Sequence, residues 1–152
     1  TFTGVEHRIE PVRLLDGVQW YNDSIASSPT RTIAGLRSFD QKVILIAGGY
    51  DKHIPFDVLG PEVTAHVKLL VLCGATAGEI RAAVEAAPDY RPGRPEILEV
   101  TPFQAAVEAA RDHAAAGDVV TLSPACAAFD QFKNFAERGR VFKEIVRSWP
   151  EE

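Results

Sequence analysis

The chain has 152 residues, 46% hydrophobic and 24% charged, which is the composition of a soluble globular protein the size of one domain. A formal net charge of −5, with sixteen scattered lysines and arginines, argues against nucleic acid and anionic membranes as partners. No stretch approaches about 18 consecutive apolar residues, so we expect no membrane span.

Two cysteines, Cys73 and Cys126, are too few for a disulfide framework and lack zinc-ligand spacing, so we expect reduced thiols and a cytoplasmic location. The first ten residues lack the apolar core of a signal peptide. The sequence starts at Thr1 and contains no Met. We therefore expect a processed chain or an excised domain, with any hinge to other domains at or before Thr1.

The predicted elements begin with a β-hairpin over Arg8 to Trp20, which turns at Asp16-Gly17. Ser28 followed by Pro29 predicts the start of a helix. Short apolar strands then alternate with helices. The predicted strands are Val43–Ala47, Leu69–Cys73, Glu96–Val100 and Val119–Leu122; the predicted helices are Pro55–Ala65, Ala77–Ala87, Pro102–Ala116 and Asp130–Trp149. This alternation predicts an α/β fold with a doubly wound, mostly parallel, Rossmann-like sheet and the amino-terminal hairpin at one edge.

Ligands of such sheets bind outside the carboxyl ends of the strands, which selects the loops Gly48–His53, Gly74–Gly78 and Ser123–Asp130. Lys52 follows two glycines that let a ligand approach the backbone, and it offers a cation for a carboxylate or phosphate. The alternative is a solvated lysine in an ordinary turn. The loop is not a P-loop, because the chain has no GxxxxGK[ST] motif.

Other polar residues allow more than one interpretation. Asp23 could bind a ribose hydroxyl or a cation, or bond its own backbone in a turn. Cys126 and Ser123 lack the GxSxG motif and an obviously placed base, so packing explains Cys126 better than nucleophilic catalysis. His53 is a candidate to line the site beside Lys52. We predict no catalytic residue and no metal ligand in this chain.

The segment from Leu122 to Phe135, LSPACAAFDQFKNF, continues with Glu137-Arg138-Gly139 and Phe142. It resembles the carboxy-terminal signature of the D-glutamate-adding Mur ligases. Upstream, HRIE at His7, GVQWYNDS at Gly17 and GGYDK at Gly48 resemble further motifs of that family in the same order. The resemblance therefore covers nearly the whole chain.

The resemblance implies that residues 1–152 form a single domain, equivalent to the carboxy-terminal domain of a three-domain ligase. Such enzymes use ATP and magnesium to activate UDP-N-acetylmuramoyl-L-alanine as an acyl phosphate, which the amine of D-glutamate attacks. The UDP-binding domain and the central ATPase domain, which mainly holds ATP and magnesium, are absent from these 152 residues. We therefore expect the isolated domain to be inactive and monomeric.

The resemblance also implies roles for individual residues. It places five residues at the D-glutamate subsite, namely Lys52, Ser27, Ala128, Phe129 and Phe135, and it places Arg8 and Asp23 at the nucleotide. Two positions depart from the family pattern, because Ile25 replaces a lysine near the phosphates and Ala128 replaces a serine. Two alternatives stay open: a stand-alone Rossmann-like binding module for a small acidic ligand, and a ligase-superfamily relative with another acceptor, such as a folylpolyglutamate synthase.

Overall fold

The computed structural model describes residues 5–151, so the expected hinge at or before Thr1 lies outside the described residues. Six strands and five helices follow one another in this range. The strands are β1 (Glu10–Leu15), β2 (Val18–Asn22), β3 (Val43–Ala47), β4 (Val67–Leu72), β5 (Glu96–Glu99) and β6 (Val119–Leu122). The helices are α1 (Pro29–Leu36), α2 (Leu59–His66), α3 (Ala77–Glu85), α4 (Phe103–His113) and α5 (Phe135–Ser148).

The six strands form one sheet in the order β1-β2-β6-β3-β4-β5. Only the β1–β2 pair is antiparallel, and β2 continues into the parallel part by pairing with β6. The predicted mostly parallel sheet with an amino-terminal hairpin at its edge is therefore confirmed. Asp16 and Gly17 form the hairpin turn with φ angles of 52° and 81°, a conformation that Asp and Gly tolerate better than most residues.

Both faces of the sheet are covered, which explains why the central strand is wholly apolar. Successive side chains of β3 point to opposite faces. Ile44 and Ile46 join a core shared with α4 and α5, whereas Val43, Leu45 and Ala47 join a second core shared with α1, α2 and α3. All five β3 side chains are buried, as the continuous apolar run predicts.

The hairpin is fastened to the end of the last helix. The indole of Trp20 on β2 packs edge-on against that of Trp149, with ring centroids 5.0 Å apart. Arg13 on β1 donates from Nη1 to the carbonyl oxygens of Val146 at 3.0 Å and Trp149 at 2.6 Å. These carbonyls are at the end of α5, where helical acceptors are unfilled, so the arginine caps the helix.

Two helices begin later than the sequence predicts. The second starts at Leu59 instead of Pro55, because the chain first places Phe56, which is only 6% exposed, in the core. The last starts at Phe135 instead of Asp130. Asn134 caps it by accepting a 2.9 Å bond from the N–H of Glu137.

No helix formed by residues 5–151 is both long enough and apolar enough to cross a bilayer.

Candidate ligand-binding site

Three loops at the carboxyl ends of β2, β3 and β6 are joined by backbone hydrogen bonds. The N–H groups of Gly48 and Tyr50 donate to the carbonyls of Pro124 and Ala127, both at 2.9 Å. The N–H of Ala125 donates to the carbonyl of Ala26 at 2.9 Å. Because neighbouring parallel strands end at the same edge of the sheet, loops distant in sequence form one continuous wall.

The glycines of the β3 loop make this close approach possible. Gly48 has a φ of 108°, and a side chain there would collide with the carbonyl of Cys73. A Cβ on Gly49 would lie 2.6 Å from the carbonyl oxygen of Ala127. The glycine pair is therefore a steric requirement of the fold, whereas its predicted role of admitting a ligand to the backbone stays a prediction.

A cleft of about 470 Å³ opens between these loops, within the size range of small-molecule sites. We call it the Lys52 cleft. It contains every residue that the resemblance assigned to the amino-acid subsite. It is lined by Arg8, Ile25, Ser27, Arg31, Lys52, Ala127, Ala128, Phe129, Asn134 and Phe135.

The chemistry of the Lys52 cleft suits an anion with some apolar surface. It holds three exposed cations, Arg8, Arg31 and Lys52. No carboxylate among residues 5–151 forms an ion pair with any of them. Exposed aromatic rings at the rim, Phe129 and Phe135, supply apolar contact.

A second cleft of about 260 Å³ adjoins the first and shares Arg8, Ile25 and Arg31 with it. We call it the Asp23 cleft. Asp23 is buried at 3% exposure, where Oδ2 accepts a 2.8 Å bond from the hydroxyl of Ser123 and Oδ1 a 3.1 Å bond from the N–H of Ile9. Burial raises the pKa of Asp23 to about 6 despite these bonds and the nearby arginines.

The backbone around Arg8 is unusual. His7 and Ile9, on either side of it, have φ angles of 69° and 44°. A β-branched residue such as Ile9 rarely adopts positive φ, and the strain is of a kind found at functional sites. The 3.1 Å bond from Ile9 to Asp23 and a 3.0 Å bond from the N–H of Ile25 to the carbonyl of His7 hold this conformation. Arg8 is thus directed toward both clefts, whose walls it joins.

Arg138 organises the wall behind the cleft. It is only 2% exposed, and burial lowers its pKa to about 10, so it stays protonated at neutral pH. Its Nη1 donates to the carbonyl of Cys126 at 2.9 Å, and Nη2 donates to the carbonyl of Ser24 at 2.8 Å and to the hydroxyl of Ser27 at 3.5 Å. One guanidinium therefore fixes the β2 loop relative to the β6 loop.

Cys126 is packed in the protein interior, as the sequence predicts. Its thiol is 3% exposed and lies 3.2 Å from the hydroxyl of Thr76, which also accepts a bond from the N–H of Gly49. Burial raises the pKa of this thiol to about 11, which keeps it protonated. Cys73 is also buried and unpaired by any disulfide.

One group of side chains among residues 5–151 has the spacing of a metal site, namely Glu6, His7 and Glu10. The ammonium of Lys143 already lies 2.8 Å from Glu6 Oε2 and 3.2 Å from Glu10 Oε2. Because the ammonium of Lys143 already occupies these carboxylates, it would repel a metal cation bound to them. The group therefore does not fit a magnesium ion. It instead fastens the segment before β1 to α5.

The structure brings together six of the seven predicted site residues in the Lys52 cleft and places Asp23 in the adjoining one. The predicted loop Gly74–Gly78 does not line either cleft; it supports the wall through Thr76. His53 does not line them either, and its side chain is 90% exposed beside Asp51. The expectation that these residues line the site was wrong.

Sequence reasoning missed the organising role of Arg138 and gave Arg31 no primary role. A signal for Arg138 was present, because it shares the helical spacing i, i+4, i+8 with the buried Phe142 and Val146 of α5. An arginine on the apolar face of a helix requires buried acceptors. Nothing in the local sequence indicates which acceptors these are.

Sequence comparison identifies the family. A profile described as "Mur ligase, glutamate ligase domain" matches residues 7–126, most of the chain. The chain belongs to the Mur ligase family, within which it corresponds to the glutamate ligase domain. It is 60% identical over 151 residues to the UDP-N-acetylmuramoylalanine–D-glutamate ligase of Acetivibrio thermocellus and 57% identical over 148 residues to that of Clostridium novyi.

These alignments cover 97% of this chain and 32% of each relative, so the chain spans about a third of their length. Solved structures agree on the fold. A murein peptide ligase from Psychrobacter arcticus superposes with a TM-score of 0.61 at 16% identity, over 98% of this chain and 32% of that one. A folylpolyglutamate synthase from Thermotoga maritima gives 0.54 at 13% identity, over 80% and 28%.

Proposed function

We propose that this chain is the amino-acid-adding domain of an ATP-dependent ligase that joins D-glutamate to UDP-N-acetylmuramoyl-L-alanine in peptidoglycan synthesis. The proposal assigns the remaining steps of the reaction to regions outside these residues. In the proposed reaction the alanyl carboxylate is activated as an acyl phosphate, the amine of D-glutamate attacks its carbonyl carbon, and inorganic phosphate leaves.

The observation that carries the proposal is the content of the Lys52 cleft. D-Glutamate brings two carboxylates, which require fixed cations and hydrogen-bond donors. The cleft offers the hydroxyl of Ser27, the backbone of Ala128 and three cations, Lys52 among them, that form no ion pair with a carboxylate of residues 5–151. The two relatives are named as D-glutamate ligases, which favours the same acceptor.

Roles follow for each residue. Lys52 pairs with one carboxylate of D-glutamate, and Ser27 donates its hydroxyl to the same substrate. Ala128, Phe129 and Phe135 form the loop that surrounds the carbon chain. The buried position of Ala128, 2% exposed, leaves backbone N–H groups as the donors on this side. These groups need no side-chain reorganisation when substrate binds.

Arg8 and Asp23 are assigned to the nucleotide. Arg8 offers a planar cation for phosphate, and Asp23 lies in the cleft that Arg8 shares. Magnesium is assigned to the central ATPase domain, since the carboxylates of Glu6 and Glu10 already pair with Lys143. A monomeric, cytoplasmic protein is part of the same proposal. Two free, buried cysteines support the cytoplasmic location.

The alternative of a stand-alone binding module is less well supported, because the sequence similarity to ligases extends across 97% of the chain. A different acceptor is also less well supported. The folylpolyglutamate synthase shares the fold at only 13% identity, far below the identity to the D-glutamate ligases.

The test is phosphate release by the full-length native polypeptide with ATP, magnesium and UDP-N-acetylmuramoyl-L-alanine. We expect release with D-glutamate and none with L-glutamate. The 152-residue chain alone, which has no GxxxxGK[ST] motif, is the matched control and should release no phosphate. Release that requires another amino acid, or no release with any, would contradict the proposal.

A further inference from the structure

Arg31 lies in the first turn of α1 and lines both clefts, and within the part of the fold that the structure describes its charge acts on the buried Asp23 only, less strongly than that of Arg8. Its side chain is exposed, and no carboxylate among residues 5–151 forms an ion pair with it. The first turn of α1 contains no acidic residue. A cation at this end of a helix opposes the helix dipole, so Arg31 does not serve the stability of α1.

The neighbouring cation, Arg8, has a different environment. It flanks the strained segment at Ile9, whose N–H bonds Asp23, and it lowers the pKa of Asp23 more strongly than Arg31 does. Arg8 is thus the stronger of the two cationic influences on Asp23, although the two side chains form no ion pair. Ile25, on the wall shared by the two clefts, adds no charge. Arg31 is the remaining arginine of the Lys52 cleft.

The β3 loop supplies Lys52, which lines the same cleft as Arg31. An amino dicarboxylate bound in this cleft would meet one cation from the β3 loop and one from α1. Ser27 lies on the α1 side, four residues before Arg31, and Arg138 holds its hydroxyl at 3.5 Å.

We propose that Arg31 binds the second carboxylate of the incoming amino acid and thereby selects an amino dicarboxylate over its neutral-side-chain analogue. This inference rests on the proposed function and adds a specificity-determining residue to it. A guanidinium binds a carboxylate through two parallel N–H bonds, which a neutral amide cannot replace. A site built for a charged group rejects the isosteric amide because its own cation is left unpaired.

The experiment uses the full-length native polypeptide and its R31A, R31K and R8A variants, with R37A as the matched control. Arg37 follows the same helix but pairs with Glu62 at 2.6 Å, outside both clefts. The readouts are KM values for D-glutamate and ATP, and the ratio of kcat/KM for D-glutamate to that for D-glutamine. If D-glutamine turns over too slowly, its inhibition constant replaces kcat/KM.

For R31A we expect KM for D-glutamate to rise roughly 10–100-fold, with a similar loss of preference over D-glutamine and little change in KM for ATP. R31K should recover part of the loss, and R37A should match the unmodified protein. R8A should instead raise KM for ATP. An unchanged preference in R31A, or a raised KM for ATP alone, would overturn the assignment while leaving the proposed function intact. An unmodified protein that shows no D-glutamate-dependent activity would overturn both.

Discussion

The hydroxyl of Ser123 donates a 2.8 Å hydrogen bond to the buried carboxyl of Asp23, which joins residues 100 positions apart at the ends of β6 and β2. Because burial raises the pKa of Asp23 from 3.8 to about 6, the folded state favours the protonated carboxyl. The stabilisation that the protonated carboxyl of Asp23 contributes to the folded state is fully present below pH 3.8. It is lost as the pH rises through about 6.

The first prediction follows from this titration. Asp23→Asn removes the ionisation, so we expect the variant to be more stable than the unmodified chain at pH 8, by up to about 3 kcal/mol. The advantage should shrink as the pH falls from about 6 toward 4. Urea unfolding across this pH range measures it, with Asp89→Asn at an exposed position as control. A pH-independent difference would contradict the assigned pKa.

The second prediction concerns Lys52 in the full-length enzyme. Lys52→Ala should raise KM for D-glutamate roughly 10–100-fold, because a charge-assisted bond to a carboxylate is lost. The KM for ATP should hardly change. Lys42→Ala, at an exposed position outside the cleft, is the control. An unchanged KM for D-glutamate in Lys52→Ala would remove this lysine from the amino-acid subsite.

The third prediction concerns Arg138. Arg138→Ala leaves the buried carbonyls of Ser24 and Cys126 without their donor, so we expect a loss of at least about 3 kcal/mol in the free energy of unfolding. Arg138→Lys should recover part of it. Arg140→Ala, exposed on the same helix, is the control. If both alanine variants unfold at the same denaturant concentration, the hydrogen bonds of Arg138 do not stabilise the wall.

The fourth prediction compares two glycines. Gly48→Ala places a side chain against the carbonyl of Cys73 at a positive φ, so we expect a loss of about 3 kcal/mol and a raised KM for D-glutamate in the full-length enzyme. At Gly78, within α3, a Cβ would have no neighbouring atom within 4 Å. Gly78→Ala should therefore stabilise the chain by up to about 1 kcal/mol. Equal effects of the two substitutions on thermal unfolding would contradict the steric argument.

Much of the fold follows from local patterns. The strand Val43–Ala47 has the predicted bounds, because a wholly buried strand requires an unbroken apolar run. Val119–Leu122 also has the predicted bounds, although it contains Thr121 and its first residue is half-buried. The starts of α2 and α5 do not follow from local patterns. Pro55 and Asp130 are acceptable helix residues, but the burial of Phe56 and the cap at Asn134 decide the boundaries. Tertiary contacts override local propensity at both places.

Local sequence patterns likewise predict only part of the site. The position of Lys52 after two glycines is visible in the sequence, since it depends on one strand end. The convergence of Arg8, Arg31 and Lys52 is not, because it depends on β6 lying between β2 and β3. The bonds of Arg138 to the β2 loop span more than 100 residues, and no periodicity encodes them.

The sheet order also constrains how the chain is made. The second strand can complete its parallel pairing only with β6, and Arg13 on β1 finds its acceptors only at the end of α5. During synthesis the β1–β2 hairpin therefore lacks its pairing and packing partners, β6 and the end of α5, until residues 119–149 have left the ribosome. A truncation near Trp149 would accordingly destabilise the β1–β2 hairpin, which would lose its packing partner although it is distant in sequence.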